Sequence, residues 1–173
     1  IYFTFGHSYI DIEPLRSVPR EKKITGATAH RPSDILKPKM DQAIAIHANS
    51  ILLANEMINI HELVYYLPNG VNEDLFTYQS IPEKRDNIII GHVGKLSSLK
   101  GQREYIEPAI KKAKCLYHPH YNSHDEALPQ SAMPISTYKQ MDAIIIASTE
   151  DGTPNPALEA AACGRTIISN NIG

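Results

Sequence analysis

Tryptophan is missing from these 173 residues, and cysteine nearly so, with only Cys115 and Cys163. The two thiols stand far apart and form no CxxC pair. That argues against a zinc site built on cysteine and fits a reducing compartment, so a cytoplasmic setting is expected. Charge of one sign is lacking too. With 17 Lys and Arg against 19 Asp and Glu, the net charge is -2, which speaks against a general nucleic-acid binder or a basic membrane surface. No apolar run approaches the roughly 20 residues of a membrane-spanning helix, and no signal-peptide pattern is visible. What is present is a 42% share of hydrophobic residues, sufficient for a real core. The sequence starts at Ile1 inside a strand-like "IYFTFGH" and stops at Gly173 just after "TIIS". Both ends look cut, and an interior fragment is expected.

Short apolar runs alternate with polar turns along the first third. "IYFTFG" and "KITGATAH" read as strands, the second ending at His30. "EPLRSVPREK" carries two prolines and reads as loop or broken helix. Residues 38–60 can hold helix, but "AIAI" reads equally as a short buried strand; the favoured division is strand over 43–47, then helix from Ser50 as N-cap. A β-rich "LVYYL" precedes the strong turn signal Pro68-Asn69-Gly70.

The remainder repeats a different rhythm. "NIIIGHVG" and "DAIIIAS" are runs of β-branched residues with polar flanks, hence buried parallel strands. "QREYIEPAIKKAK" is amphipathic helix, "CLYHPHY" strand, "NSHDEALPQSAMP" polar loop, "STYKQM" short helix, "NPALEAAAC" helix and "RTIIS" strand. This succession predicts a parallel, doubly wound α/β sheet.

The stretch "DGTPNPALEAAACG" carries more than a helix start requires. With Asn155 as N-cap, Pro156 takes the first helical position, where its missing N–H is harmless. Ala157, Leu158 and Glu159 then offer backbone N–H groups without intrahelical partners, and the macrodipole adds partial positive charge. This anion site would sit past the carboxyl end of "DAIIIAS", where open α/β sheets bind ligands. An ordinary Asn-Pro cap on a core helix is the plain alternative. Carboxylates at Asp151 and Glu159 are awkward beside an anion unless they hold hydroxyl groups of the same ligand, and phosphate plus hydroxyls describes a sugar nucleotide. The loop "GHVGKLSSLKG" agrees. Gly91, Gly94 and Gly101 allow close backbone approach, and Lys95 and Lys100 can offset a diphosphate, although the register of a Walker A loop is absent.

Together, "LPNGVNEDLF", "GHVGKLSSLKG" and "DGTPNPALEAAACGRTIISNNIG" resemble, in order and spacing, the family-four retaining glycosyltransferases. The resemblance is clear from residue 67 onward and fainter before it. It implies a GT-B fold of two Rossmann-like domains, both incomplete here, with the donor in the cleft between them. Residues 1–66 would be the back of the N-terminal, acceptor-side domain, 67–87 the crossing, and 88–173 the front of the donor-binding domain. Glu159 matches the second carboxylate of the family's paired-acid motif, which holds ribose hydroxyls. Asp151 matches the first, which faces the donor sugar and is usually glutamate; Glu150 is adjacent. Lys95 stands where the family often has arginine and Lys100 where it has lysine, both stabilising the leaving diphosphate. Gly94, Thr153, Asn155, Ala157 and Leu158 would complete the phosphate cradle, and His30 would face the donor sugar from the opposite domain. The implied donor is a nucleoside-diphosphate sugar, with no cofactor and no metal. The implied acceptor is a glycan or lipid-linked hydroxyl in surface polysaccharide or glycolipid synthesis, at times at the inner face of a membrane.

Rival functions are a non-catalytic nucleotide-sugar-binding module, a GT-B sugar-nucleotide epimerase and, from "HPHYNSHD", a metal-dependent hydrolase using His118, His120 and His124 with Asp125. His47 and His61 read as local caps or surface, His92 as donor contact or packing, and Cys163 as helix packing.

Overall fold

The structure is a computed structural model that describes residues 2–4, 17–27, 37–38, 40–80, 86–121 and 130–172. The chain divides into two compact units. One comprises Ile1–Asn69 with Glu150–Thr153 and Gly173, the other Gly70–Thr149 with Pro154–Ile172.

The first unit is built on four parallel strands in chain order: β1 (Tyr2–Thr4), β2 (Lys23–Ala27), β3 (Ala45–Ala48) and β4 (Val64–Tyr66). Helix α1 (Ile51–Met57) follows β3, and its N-cap is Ser50, whose hydroxyl accepts the Leu53 N–H at 3.1 Å. That bond satisfies one of the donors a helix start leaves open. Leu53, Ala54 and Met57 lie at helical spacing and pack with Ala27, Met40, Ala43, Ile46 and Ala48 into one core. His61 is a brace inside this unit rather than a surface group. It is buried, and its ring nitrogens contact the carbonyls of Leu63 at 3.1 Å and Ala43 at 3.2 Å. His47 is buried as well, in register with Gly26, where an added Cβ would fall 2.1 Å from the imidazole.

The second unit contains β5 (Ile89–Gly94), helix α2 (Glu107–Ala113), β6 (Leu116–Tyr121), helix α3 (Met133–Ser136), β7 (Ala143–Ile146), helix α4 (Asn155–Ala162) and β8 (Thr166–Ser169). Its strands are all parallel, in the order β6-β5-β7-β8. Successive strand residues face opposite sides, and both sides are covered. Ile144, Ile146 and Val93 join Phe76, Met133, Tyr138, Met141, Ala160 and Cys163 on one face, while Ile145 and Ile90 pack with Ile106 and Ile110 on the other. Burial on both faces is why β7 reads as an unbroken apolar run and β5 as a largely apolar one. Their register is pinned at the amino ends, where the Ile89 N–H donates to Asp142 Oδ2 and the Asp142 N–H returns a bond to the Ile89 carbonyl, each at 2.8 Å.

Sequence and structure part at two helices. Within 122–134, read as loop, the chain turns helical at Gln130–Ala132 and enters α3 at Met133. Ahead of α2, Gln102–Ile106 is a π-type turn, with the Ile106 N–H reaching the Gly101 carbonyl at 3.1 Å. Pro108, near the start of α2, has no N–H to donate and crowds the preceding turn, which the wider π turn accommodates.

Candidate functional site

In the second sheet β6 lies on one side of β5 and β7 on the other. The chain reverses its direction of winding there, and the crevice at the carboxyl ends of β5 and β7 is the topological switch point at which open α/β sheets take ligands. The segment that leaves β5 is the glycine and lysine loop singled out from the sequence, and the segment that leaves β7 runs on into the second stretch, 151–164. Lys95–Lys100 follows β5, and Ala147–Thr149 follows β7. They are joined directly, since the Thr149 N–H donates to the Leu99 carbonyl at 2.9 Å.

A short 3-10 turn, Ser98–Lys100, brings the loop after β5 to Gly101, which has a left-handed φ of 65°. A Cβ at that position would lie 2.6 Å from the Ala147 carbonyl oxygen, so glycine is required both by conformation and by the closeness of the β7 segment. Lys95 is exposed and Lys100 half-buried. Gly94, with a φ of 156°, lies over His92, whose Nε2 would be 3.4 Å from an added Cβ. His92 is 2% exposed, so packing rather than solvent contact surrounds its ring.

Helix α4 begins one residue earlier than the sequence suggests. Pro154 is the N-cap, Asn155 the first helical residue and Pro156 the second. A proline cap offers no side-chain acceptor, so Asn155 does not cap this helix. The expected donor Ala157 is committed as well, its N–H bonding to the Pro154 carbonyl at 2.9 Å. Leu158 is half-buried at the next position. Thr153 belongs to the first unit, where its hydroxyl donates to the Asn49 carbonyl and its own carbonyl accepts from Asn69 Nδ2 at 3.2 Å. Asp151 is half-buried in the same segment, and Glu150 is exposed.

Glu159 sits one turn into α4 and has a partner the sequence did not disclose. Tyr138, with no exposed surface, donates its hydroxyl to Glu159 Oε2 at 2.5 Å. Burial raises the Glu159 pKa above its ordinary value, and the tyrosine bond pulls against that rise. Gln102 is the other missed residue. It is 1% exposed and bonds to the Lys95 carbonyl, the Ser97 N–H and the His92 ring.

His30, His124 and Asp125 lie outside the described residues. His118 and His120 fall two apart on β6 and so share a face. Among the described residues no group of three or more His, Cys, Asp or Glu side chains gathers to hold a metal ion, and no helix is long and apolar enough to cross a membrane.

Burial lowers the His92 pKa from its ordinary 6.5, the bond to the Ile145 carbonyl opposes this, and the charge of Lys100 lowers it further. A depressed folded-state value means that the stability contributed by neutral His92 is complete above pH 6.5 and is lost as pH falls through the lowered value. Urea midpoints measured between pH 8 and about pH 5 are expected to fall on acidification, less steeply in His92→Phe. A variant as acid-sensitive as the parent would refute this.

No protein-family model matches the sequence, and no curated protein matches it. Solved structures do. The chain superposes on S. aureus TarM, as a point mutant in complex with fondaparinux, alpha-GlcNAc-glycerol and UDP, with TM-score 0.65 at 13% identity over 87% of this chain and 37% of that one. A second TarM structure gives 0.63 at 13% identity, over 87% of this chain and 36% of that one. The pneumococcal O-GlcNAc transferase GtfA in complex with UDP and GlcNAc gives 0.57 at 12% identity, over 87% and 38%. The chain thus spans somewhat more than a third of these enzymes' length, and over that span it has the α/β fold of the GT-B glycosyltransferases.

Proposed function

We propose that the chain is part of a retaining glycosyltransferase of the family-four kind, which moves a sugar from a nucleoside-diphosphate donor to an acceptor hydroxyl. The observation that carries this reading is the joined pair of segments at the switch point, one bearing Lys95 and Lys100 and the other leading toward Glu159. The TarM point-mutant structure and the GtfA structure contain UDP, which is consistent with a nucleotide-sugar donor. In this reading the two ammonium groups face the diphosphate, Glu159 accepts from ribose hydroxyls, and Asp151 addresses the donor sugar. The bond from the anomeric carbon to the diphosphate oxygen breaks, and the acceptor oxygen bonds to that carbon on the same face. The departing phosphate oxygen takes the acceptor proton. Positioning and electrostatic stabilisation of the growing negative charge then do most of the work. Metal independence, a glycan or lipid-linked acceptor and peripheral association with the inner face of a membrane belong to the same proposal and rest on the resemblance.

Calorimetric titration with UDP, GDP and ADP in the presence of a chelator tests the reading. Saturable binding of one of them is the expected result and identifies the base. A folded sample that binds none of the three excludes the proposal.

A further inference from the structure

We propose that Gln102, acting together with His92, is the positioning residue that holds the Lys95–Lys100 loop in its ligand-binding shape before any ligand arrives. The inference rests on the reading of that loop as the diphosphate site.

Gln102 is buried, and a buried carboxamide must have its hydrogen bonds made. Its Nε2 donates to the Lys95 carbonyl at 2.6 Å and to His92 Nε2 at 2.9 Å, while its Oε1 accepts the Ser97 N–H at 3.3 Å. The orientation of the amide is dictated by the backbone. Turning it over would set oxygen against the Lys95 carbonyl and NH2 against the Ser97 N–H. With Nε2 of Gln102 fixed as the donor, His92 Nε2 must be an acceptor. The imidazole proton therefore resides on Nδ1, which lies 3.1 Å from the Ile145 carbonyl on β7 and donates to it.

One polar chain thus runs from β7 through His92 and Gln102 to two backbone groups of the loop. It ties the loop after β5 to the neighbouring strand from beneath, while the Thr149–Leu99 bond ties it to the segment after β7. Lys95 and Lys100 stand at either end of the stretch so held. A loop fixed in advance loses less conformational freedom on binding, which raises affinity without adding a contact.

The test compares the parent with Gln102→Leu, His92→Phe and the double variant. In Gln102→Leu the dissociation constant for the nucleoside diphosphate that the parent binds is expected to rise at least about tenfold, and the Ser97 amide to exchange with solvent at least about tenfold faster without nucleotide. The double variant should bind no more weakly than the worse single one, as residues acting as a unit do. Affinity within about twofold of the parent, unchanged Ser97 exchange, or fully additive losses each overturn the proposal. Nitrogen-15 spectra of the parent supply a measurement independent of any variant's folding. A His92 resonance pattern of the Nδ1–H tautomer is expected, and the Nε2–H tautomer overturns the inference. A parent that binds no nucleoside diphosphate overturns the site reading itself. A binding parent with an unaffected Gln102→Leu variant overturns this proposal alone.

Discussion

Lys100→Ala is expected to slow the proposed sugar transfer by about 10²–10³-fold, the usual effect of removing one group aimed at charge that develops in the transition state. The argument starts from the turn Ser98–Lys100, which ends at the left-handed Gly101 and leaves Lys100 half-buried. Burial is the main cause of the lowered His92 pKa, and the charge of Lys100 adds to the lowering. Lys95 is more exposed and better solvated, and a screened charge contributes less. The affinity for nucleoside diphosphate should therefore fall by about tenfold, roughly 1.4 kcal/mol, and turnover by considerably more. Lys100→Arg keeps the charge with a different geometry and should recover part of the loss. The measurement is release of nucleoside diphosphate from the sugar nucleotide whose base the titration identifies. An alanine variant within about threefold of the parent would remove Lys100 from the site.

The features that were legible in the sequence are those that local chemistry dictates. "NIIIGHVG" and "DAIIIAS" announce β5 and β7 because a strand covered on both faces can carry no polar alternation. Ser50 announces α1 because its hydroxyl meets a local need, and the structure makes that bond. Long-range pairing was not legible. Nothing in the residues alone states that β7 crosses to the far side of β5, yet this crossing is what sets Leu99 against Thr149. Gln102 and Tyr138 were missed for a related reason. Each lies at the start of a short helical turn; Tyr138 is buried against Glu159 and Phe76, far away in sequence, and Gln102 is buried because the loop before it folds back so that Lys95, Ser97 and His92 meet its amide. The helix α4 reading erred by a single residue because Pro154 and Pro156 both suit a helix start, and local preference does not choose between them. His61, read as a local cap or surface, does make a local bond with Leu63, but its burial was not legible because its other partner, the Ala43 carbonyl, is supplied by the loop before β3.

Tyr138 should prove the most stability-sensitive of the residues that touch the proposed site. Tyr138→Ala is expected to destabilise the protein by about 3–5 kcal/mol, the range for removing a buried aromatic ring. The ring has no exposed surface and packs edge-on to Phe76 at 5.9 Å and 68°, in the core that also holds Met133, Met141 and Ile144. Tyr138→Phe keeps that packing and removes only the hydroxyl, so its effect isolates the bond to Glu159. A hydrogen bond to a charged partner contributes about 1.5–3 kcal/mol, and Glu159 would be left half-buried without it. Burial raises the Glu159 pKa from 4.5, and the Tyr138 bond is what opposes the rise. A carboxyl whose folded-state pKa is raised contributes stability that is complete below the ordinary value and is lost as pH climbs through the raised one. Without the hydroxyl the raised value moves higher, so the loss extends over a wider span of rising pH. Urea melts of the parent and Tyr138→Phe from about pH 4 to pH 8 should show this, and Glu159→Gln in the Phe background should flatten the extra slope. Affinity for the proposed nucleoside diphosphate should fall with the hydroxyl, because Glu159 then loses the hydrogen bond that fixes its carboxylate. A Tyr138→Phe protein with the parent's stability, slope and affinity would reduce the Tyr138–Glu159 bond to an incidental contact and leave Glu159 to be oriented by α4 alone.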